Sequence, residues 1–326
     1  MNIITEKILR IGHLSTAYHT NFILMADDNL AKDLGMKLDW SLFGTGPLMV
    51  KAFSQKKLDM GYMGLPPAIV GIDRGVPIKC VAGGHVNGTI MVAKKEYKHL
   101  SDLDKNLYEI FAQFKGKTIG TPSKGSIHDA ILNYYLEKYE LKDLITVKNY
   151  KQAEFIALDM KRGLVEAGVG TPALAVFALT LLDSHLILPP DELLPNNPSY
   201  GIFFHENIIE ENPDIIITFL KHHKKASQML RESPSDAAKK IAKTFTILNR
   251  NQNYVESVLE ISPKYCISLS EGYLNSTQGF VNTLFNLGYI NKKLETEDIF
   301  NFNFIKKVHP EKNHYSTLLG DEILTQ

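Results

Sequence analysis

Cysteine is almost missing from this chain: of 326 residues only Cys80 and Cys266 carry a thiol. A disulfide scaffold is excluded, no pair has metal-ligand spacing, and both read as small core side chains, although a single bridge stays possible. Arginine is scarce too, at Arg10, Arg74, Arg162, Arg231 and Arg250. Lysine plus arginine and aspartate plus glutamate each total 36, so the formal net charge is zero. With no basic stripe interleaved with aromatics, nucleic acid is not expected as a partner. No run of about 18 apolar residues exists, which excludes an inserted membrane helix. The start lacks a basic segment followed by an apolar core and a small-residue cleavage site. The expectation is an extracytoplasmic protein if a signal segment was trimmed, and a cytoplasmic one if Met1 is the native start. Low-complexity segments and solenoid periods are absent as well.

What is present is an alternation of strand and helix signals. Ile8–Gly12 reads as a strand, Asn21–Leu34 as a helix stopped by Gly35, Lys37–Leu42 as a strand and Gly46–Gln55 as a helix. Met60–Met63, Ala68–Asp73 and Ile78–Ala82 continue the alternation. Short apolar strands in this order imply mostly parallel sheets covered by helices on both faces. A second unit begins near Ile90, with strands at Lys117–Gly120 and Ala167–Gly170 and helices at Ile127–Tyr139, Ala153–Arg162 and Pro172–Leu182. After a proline-crowded loop come a strand at Tyr200–Phe204 and helices at Pro213–Arg231, Ser235–Leu248, Asn251–Ser257 and Leu269–Leu287. Beyond Lys306 the polar tail is expected to be loosely held.

Open α/β sheets bind ligands beyond the carboxyl ends of their strands. The candidate loops therefore hold Ser15, Thr16, Tyr18 and His19; Gly44, Thr45 and Gly46; Gly64 and Leu65; Ser123, Lys124, Gly125 and Ser126; and Gly170 and Thr171. Glycine turns open helices at Gly46, Gly125 and Gly170. Helix starts leave backbone N–H groups without acceptors and carry the positive end of the dipole, so they suit an anion or a strongly polar ligand. His85 follows a strand, and Tyr200 could stack on a ligand. His128, in the first turn of a helix, reads as neutral and structural. No arginine falls in these loops, so a bidentate clamp is not expected, and Lys124 is their one cation. Carboxylates are missing there apart from Asp129, which disfavours a dication or polyamine. No Ser-His-Asp or Cys-His set and no metal cluster stands out, so no cofactor and no metal are expected.

Three stretches carry a family resemblance: Ile11-Gly-His-Leu-Ser-Thr-Ala-Tyr-His-Thr20; Phe43-Gly-Thr-Gly46 through Lys57-Leu-Asp-Met-Gly-Tyr-Met-Gly-Leu-Pro-Pro67 to Arg74-Gly-Val-Pro-Ile78; and Lys115–His128. Over roughly residues 8 to 290 the chain resembles the substrate-binding proteins of ABC importers in the nitrate, sulfonate, taurine and thiamine-precursor group. Hydroxymethylpyrimidine phosphate synthase has the same fold. The resemblance implies the two-lobed periplasmic-binding-protein type II fold, with ligand between the lobes. Lobe one would be residues 1–92 plus 201–326, lobe two 93–200, with crossings near Thr89–Ala93 and Ser199–Phe204. It also implies hinge closure on binding, a histidine role for His19, an ABC permease as partner, and a monomer.

The function expected is capture of a small polar or anionic metabolite such as a sulfonate, nitrate, bicarbonate or a pyrimidine-like compound. An alternative is a cytoplasmic enzyme of the pyrimidine-precursor synthase type, or another biosynthetic enzyme on the same fold. His19 or His85 would be its base. The synthase's cysteine-rich segment has no counterpart here, because residues 93–199 contain no cysteine. A third reading is a ligand sensor using His309–Tyr315 as a contact.

Overall fold

A computed structural model describes residues 7–151, 154–244 and 252–315. Their strands are β1 Ile8–His13, β2 Lys37–Leu42, β3 Met60–Met63, β4 Ile78–Val86, β5 Ile90–Lys94, β6 Thr118–Pro122, β7 Thr146–Tyr150, β8 Ala167–Gly170, β9 Ser184–Leu188 and β10 Pro198–His205. They form two five-stranded sheets, ordered β2-β1-β3-β10-β4 and β7-β6-β8-β5-β9. In the first sheet β1 pairs in parallel with β2 and β3, while β10 lies antiparallel between β3 and β4. The second repeats the plan: β6 is parallel to β7 and β8, and β5 lies antiparallel between β8 and β9. Each sheet is mixed, with four strands pointing one way and one strand reversed. The reversed strands β5 and β10 are those by which the chain enters a new sheet, after Val86 and after Leu188.

Strands buried on both faces explain the apolar runs. Every residue of β3, β8 and β10 is buried. The 20-residue helix Pro213–Glu232 starts with Pro213 in its first turn and buries Ile216, Phe219, Leu220, His223, Ser227 and Leu230, a helical period that fixes its inward face. The largest apolar cluster runs through Leu65, Ile127, Ile131 and Phe280 and so joins the helices of both sheets.

The expected helix over Asn21–Leu34 is two helices, Asn21–Met25 and Asp28–Leu34. Asp27 sits between them in an extended conformation and its carboxylate accepts from Asn29 N–H, so a side-chain cap outcompetes continuation. The strand expected at Lys117–Gly120 runs on through Thr121 and Pro122 as β6, because a terminal proline costs little there. Three strands fall outside the expected set: β5 lies where only a crossing near Thr89–Ala93 is expected, β7 is a half-exposed edge, and β9 follows a helix without a turn signal. Residues 153, 245–248 and 251, the ends of three expected helices, lie outside the described residues. Both cysteines are free and buried. The tail as far as residue 315 is the clearest correction; residues 316–326, the rest of the segment expected to be loosely held, lie outside the described residues. Ile305–Val308 is helical, His309 and Tyr315 are buried, and Tyr315 Oη lies 2.7 Å from Cys266 O and 2.9 Å from Ser268 O. Two apolar-bodied anchors hold a segment whose average composition is polar: of the contact residues His309–Tyr315 the two ends are buried and residues 310–314 between them are exposed.

Gly84 falls where the β4–β10 register slips between Tyr200 and Gly201, and a Cβ there would stand 2.1 Å from Tyr200 Cζ. Gly84→Ala is therefore expected to destabilise the protein by about 1–3 kcal/mol through overpacking. A urea midpoint equal to that of the parent protein would refute this.

Candidate functional site

The carboxyl ends of six strands, β1, β2, β3, β6, β7 and β8, open onto one cleft between the sheets. Its volume is about 110 Å³, small beside the roughly 300–1,000 Å³ of sites for drug-sized ligands. From the first sheet come Ser15, Thr16, Tyr18, His19, Gly44, Thr45, Gly46 and Gly64; from the second, Ser123, Ser126 and Thr171. The structure thus brings these sequence-nominated residues to one place.

Four helix starts converge there. Thr45 caps Gly46–Ser54, Gly64 precedes Leu65–Asp73, Ser126 caps Ile127–Lys138 and Thr171 precedes Pro172–Leu181. Helix geometry leaves the amides of Gly46, Ile127, His128 and Ala173 without intrahelical acceptors. Pro66 and Pro67 remove two such donors from the helix beginning at Leu65. The cleft therefore offers N–H groups and dipole ends to an anion, beside the single formal positive charge of Lys151. Gly46 is confined, since a Cβ would lie 2.6 Å from Pro67 Cγ. Gly64 faces the second sheet's helix: a Cβ there would meet Ile127 Cβ and Ser199 O, each at 3.8 Å.

His19 lines the cleft with its ring centroid 4.0 Å from that of Tyr200 and its Nδ1 buried without a partner. Burial holds its pKa well below the usual histidine value, and His85, His13 and His223 add to the effect. The ring is neutral, with one nitrogen donating and one accepting. Ser123 Oγ, from the opposite sheet, is likewise buried with no partner. His128 also lines the cleft; its Nδ1 bonds Thr89 Oγ1 at 2.9 Å, and burial lowers its pKa to about 3. It is neutral, as the sequence suggests, but its place is in the cleft wall.

Six nominated residues lie elsewhere. Tyr200 is fully buried beneath His19 and forms the floor under the site. His85 is buried with Nδ1 at 2.8 Å from Ser199 Oγ and Nε2 at 2.6 Å from Ser262 O. Both its nitrogens are bonded, and the ring is not among the residues that line the cleft. Leu65 is core, held by the turn into its helix. Lys124 lies with its Nζ 5.2 Å from the Tyr289 ring centroid, in a groove shared with Gly125 on the outer side. Gly125 adopts φ +79° and gives its N–H to Asp129 Oδ2 at 2.9 Å, so that amide is spent within the loop. Gly170 belongs to β8, paired with Ile90, and Thr171 takes the capping position.

Sequence reasoning misses Lys151, Ser199 and Ala173. Lys151 follows β7, so recognising that strand would have found it. It is exposed and is the one charged side chain among the described lining residues. Among the described residues no helix is long and apolar enough to cross a membrane.

The fold is shared with solved binding proteins. The periplasmic aliphatic sulphonate binding protein of Escherichia coli superposes with a TM-score of 0.75 at 18% identity, covering 98% of this chain and 99% of that one. The periplasmic nitrate-binding protein of Synechocystis gives 0.72 at 12% identity, covering 93% and 88%. A Brucella abortus protein described as a binding protein is 21% identical over 299 residues, 90% of this chain and 89% of that relative. A family model matches residues 5–246, and on that match the chain belongs to the NMT1-like family.

Proposed function

We propose that this chain is a solute-binding protein that captures one small oxyanion, of the sulfonate or nitrate kind, for an ABC importer. One observation carries the reading: His19 Nδ1 and Ser123 Oγ, buried without partners, line one cleft from opposite sheets. Buried polar atoms are nearly always bonded, so such a pair is what a ligand would satisfy. The convergent helix starts favour an anion, and the absence of carboxylates from the described lining residues disfavours a cation. The relatives named for sulphonate and nitrate support the same class.

In this reading residues 1–92 with 201–326, and residues 93–200, move as two lobes about crossings near 89–93 and 199–204. Opening would expose part of the apolar cluster to which Leu65 and Ile127 both belong, at about 25 cal/mol per Å². A monomer delivering to a permease fits this geometry. No cofactor is needed, because the site binds and performs no chemistry.

The test is native mass spectrometry with thermal shift against taurine, alkanesulfonates, nitrate, bicarbonate and pyrimidines. One of the oxyanions should bind and raise the melting temperature. His19→Phe keeps a ring on Tyr200 but removes the nitrogens, and should weaken binding about 10- to 100-fold. Absence of any shift, or equal affinity in the variant, would refute the assignment.

A further inference from the structure

On the far side of the first sheet, three residues distant in sequence meet. Cys266 Sγ lies 3.1 Å from His309 Nε2 and 3.5 Å from His314 Nδ1. One ligand atom from each lies within 4.8 Å of the others. Tetrahedral zinc, with Zn–S about 2.3 Å and Zn–N about 2.0–2.1 Å, requires S···N separations of about 3.5 Å. The observed contacts reach this with a few tenths of an ångström of side-chain movement. The two imidazoles stack at 5.3 Å with an interplanar angle of 17°, so both edges approach the sulfur together.

The surroundings fit a bound ion. A cavity of about 160 Å³, lined by Ser227 and Arg231 among others, adjoins the three residues. It leaves room for water as a fourth ligand beside three protein ligands, and Ser227 Oγ is buried there without a partner. Glu311 Oε1 stands 2.7 Å from His309 Nδ1, although off the line of an N–H bond. A carboxylate behind a ligating histidine is the usual outer support of such a site. The nearby cations are already paired, Lys224 with Glu311 and Arg231 with Glu232 and Tyr265 O. The cysteine and the tail are anchored by bonds of their own. Cys266 N–H donates to Gly84 O on β4, and Tyr315 Oη anchors the tail on Cys266 O.

We propose that Cys266, His309 and His314 bind a zinc ion that staples the C-terminal tail to the first sheet. One sulfur and two imidazole nitrogens select a borderline ion and exclude calcium and magnesium, which take oxygen ligands. Binding converts the thiol to thiolate and releases its proton to solvent. The spacing of 43 and 48 residues between the cysteine and the histidines hides the set from any sequence motif.

The test is titration of the whole protein with cobalt(II), then displacement by zinc. One equivalent should bind, with a thiolate-to-cobalt charge-transfer band that zinc abolishes, and zinc should raise the melting temperature. Cys266→Ser should lose the band. His314 is exposed, so His314→Ala should fold as the parent does and bind at least about 10-fold more weakly. Glu311→Gln should weaken binding about 10- to 100-fold. A folded parent protein without the band, a band surviving Cys266→Ser, or unchanged affinity in His314→Ala overturns the proposal.

Discussion

Asp129→Ala is expected to lower stability by about 2–4 kcal/mol and to weaken anion capture in the same variant. The carboxylate is 1% exposed. It accepts from Gly125 N–H at 2.9 Å, Asn133 Nδ2 at 3.1 Å, Asn149 Nδ2 at 2.9 Å and Tyr289 Oη at 3.2 Å. Hydrogen bonds to a charged group are worth about 1.5–3 kcal/mol each, and truncation leaves buried donors unsatisfied. The bond to Gly125 also holds the left-handed turn that presents Ser123 and Ser126 to the cleft. Asp129→Asn keeps one acceptor oxygen and should retain part of the stability. Urea unfolding with calorimetric titration of the anion checks both effects. A loss below about 1 kcal/mol would show that the loop is organised by something other than this carboxylate.

Acid should unfold the protein early. Burial lowers His85 and His223 to about 4 and His128 to about 3, and His19 well below its ordinary value. In the unfolded chain these groups titrate near 6.5, so the unfolded state gains protons first as pH falls. The stability contributed by their neutral forms is complete above about pH 6.5 and is lost toward pH 4 to 3. Each histidine adds a slope of at most about 1.4 kcal/mol per pH unit inside that window. His223 shows why charging is resisted: its ring is buried between Thr20 Oγ1 at 2.7 Å and Gly83 O at 2.8 Å, so neither nitrogen bonds a carboxylate. Melting temperatures should be level above about pH 7 and fall steeply from about pH 6.5 to 5. A flat profile down to about pH 5 would contradict neutral burial of these rings.

Much of the architecture is legible because strand ends and helix starts have local causes. Thr45, Ser126 and Thr171 each stand at a strand-to-helix junction, and the rule that ligands sit at carboxyl ends of strands then collects the cleft. What the sequence hides is direction. Lys124 and Ser123 are neighbours, yet one faces Tyr289 and the other the cleft, because Asp129 twists the turn between them. His85, expected after a strand, lies within β4 with Ser199 and Ser262 as partners, whereas His19 follows β1 and keeps an unpartnered nitrogen. The tail fails for a different reason. His309 and Tyr315 find partners in residues 266 and 268, a long-range pairing that composition does not encode.

The reversed strand of the first sheet has a consequence for the order in which the chain is made. The order β2-β1-β3-β10-β4 places residues 198–205 between two strands that end by residue 86. A growing chain therefore holds β3 and β4 with no partner between them until the whole of the second sheet, contiguous from Ile90 to Leu188, has already been synthesised. The later-born sheet can close first, while the earlier one keeps two open hydrogen-bonding edges for more than a hundred residues of synthesis.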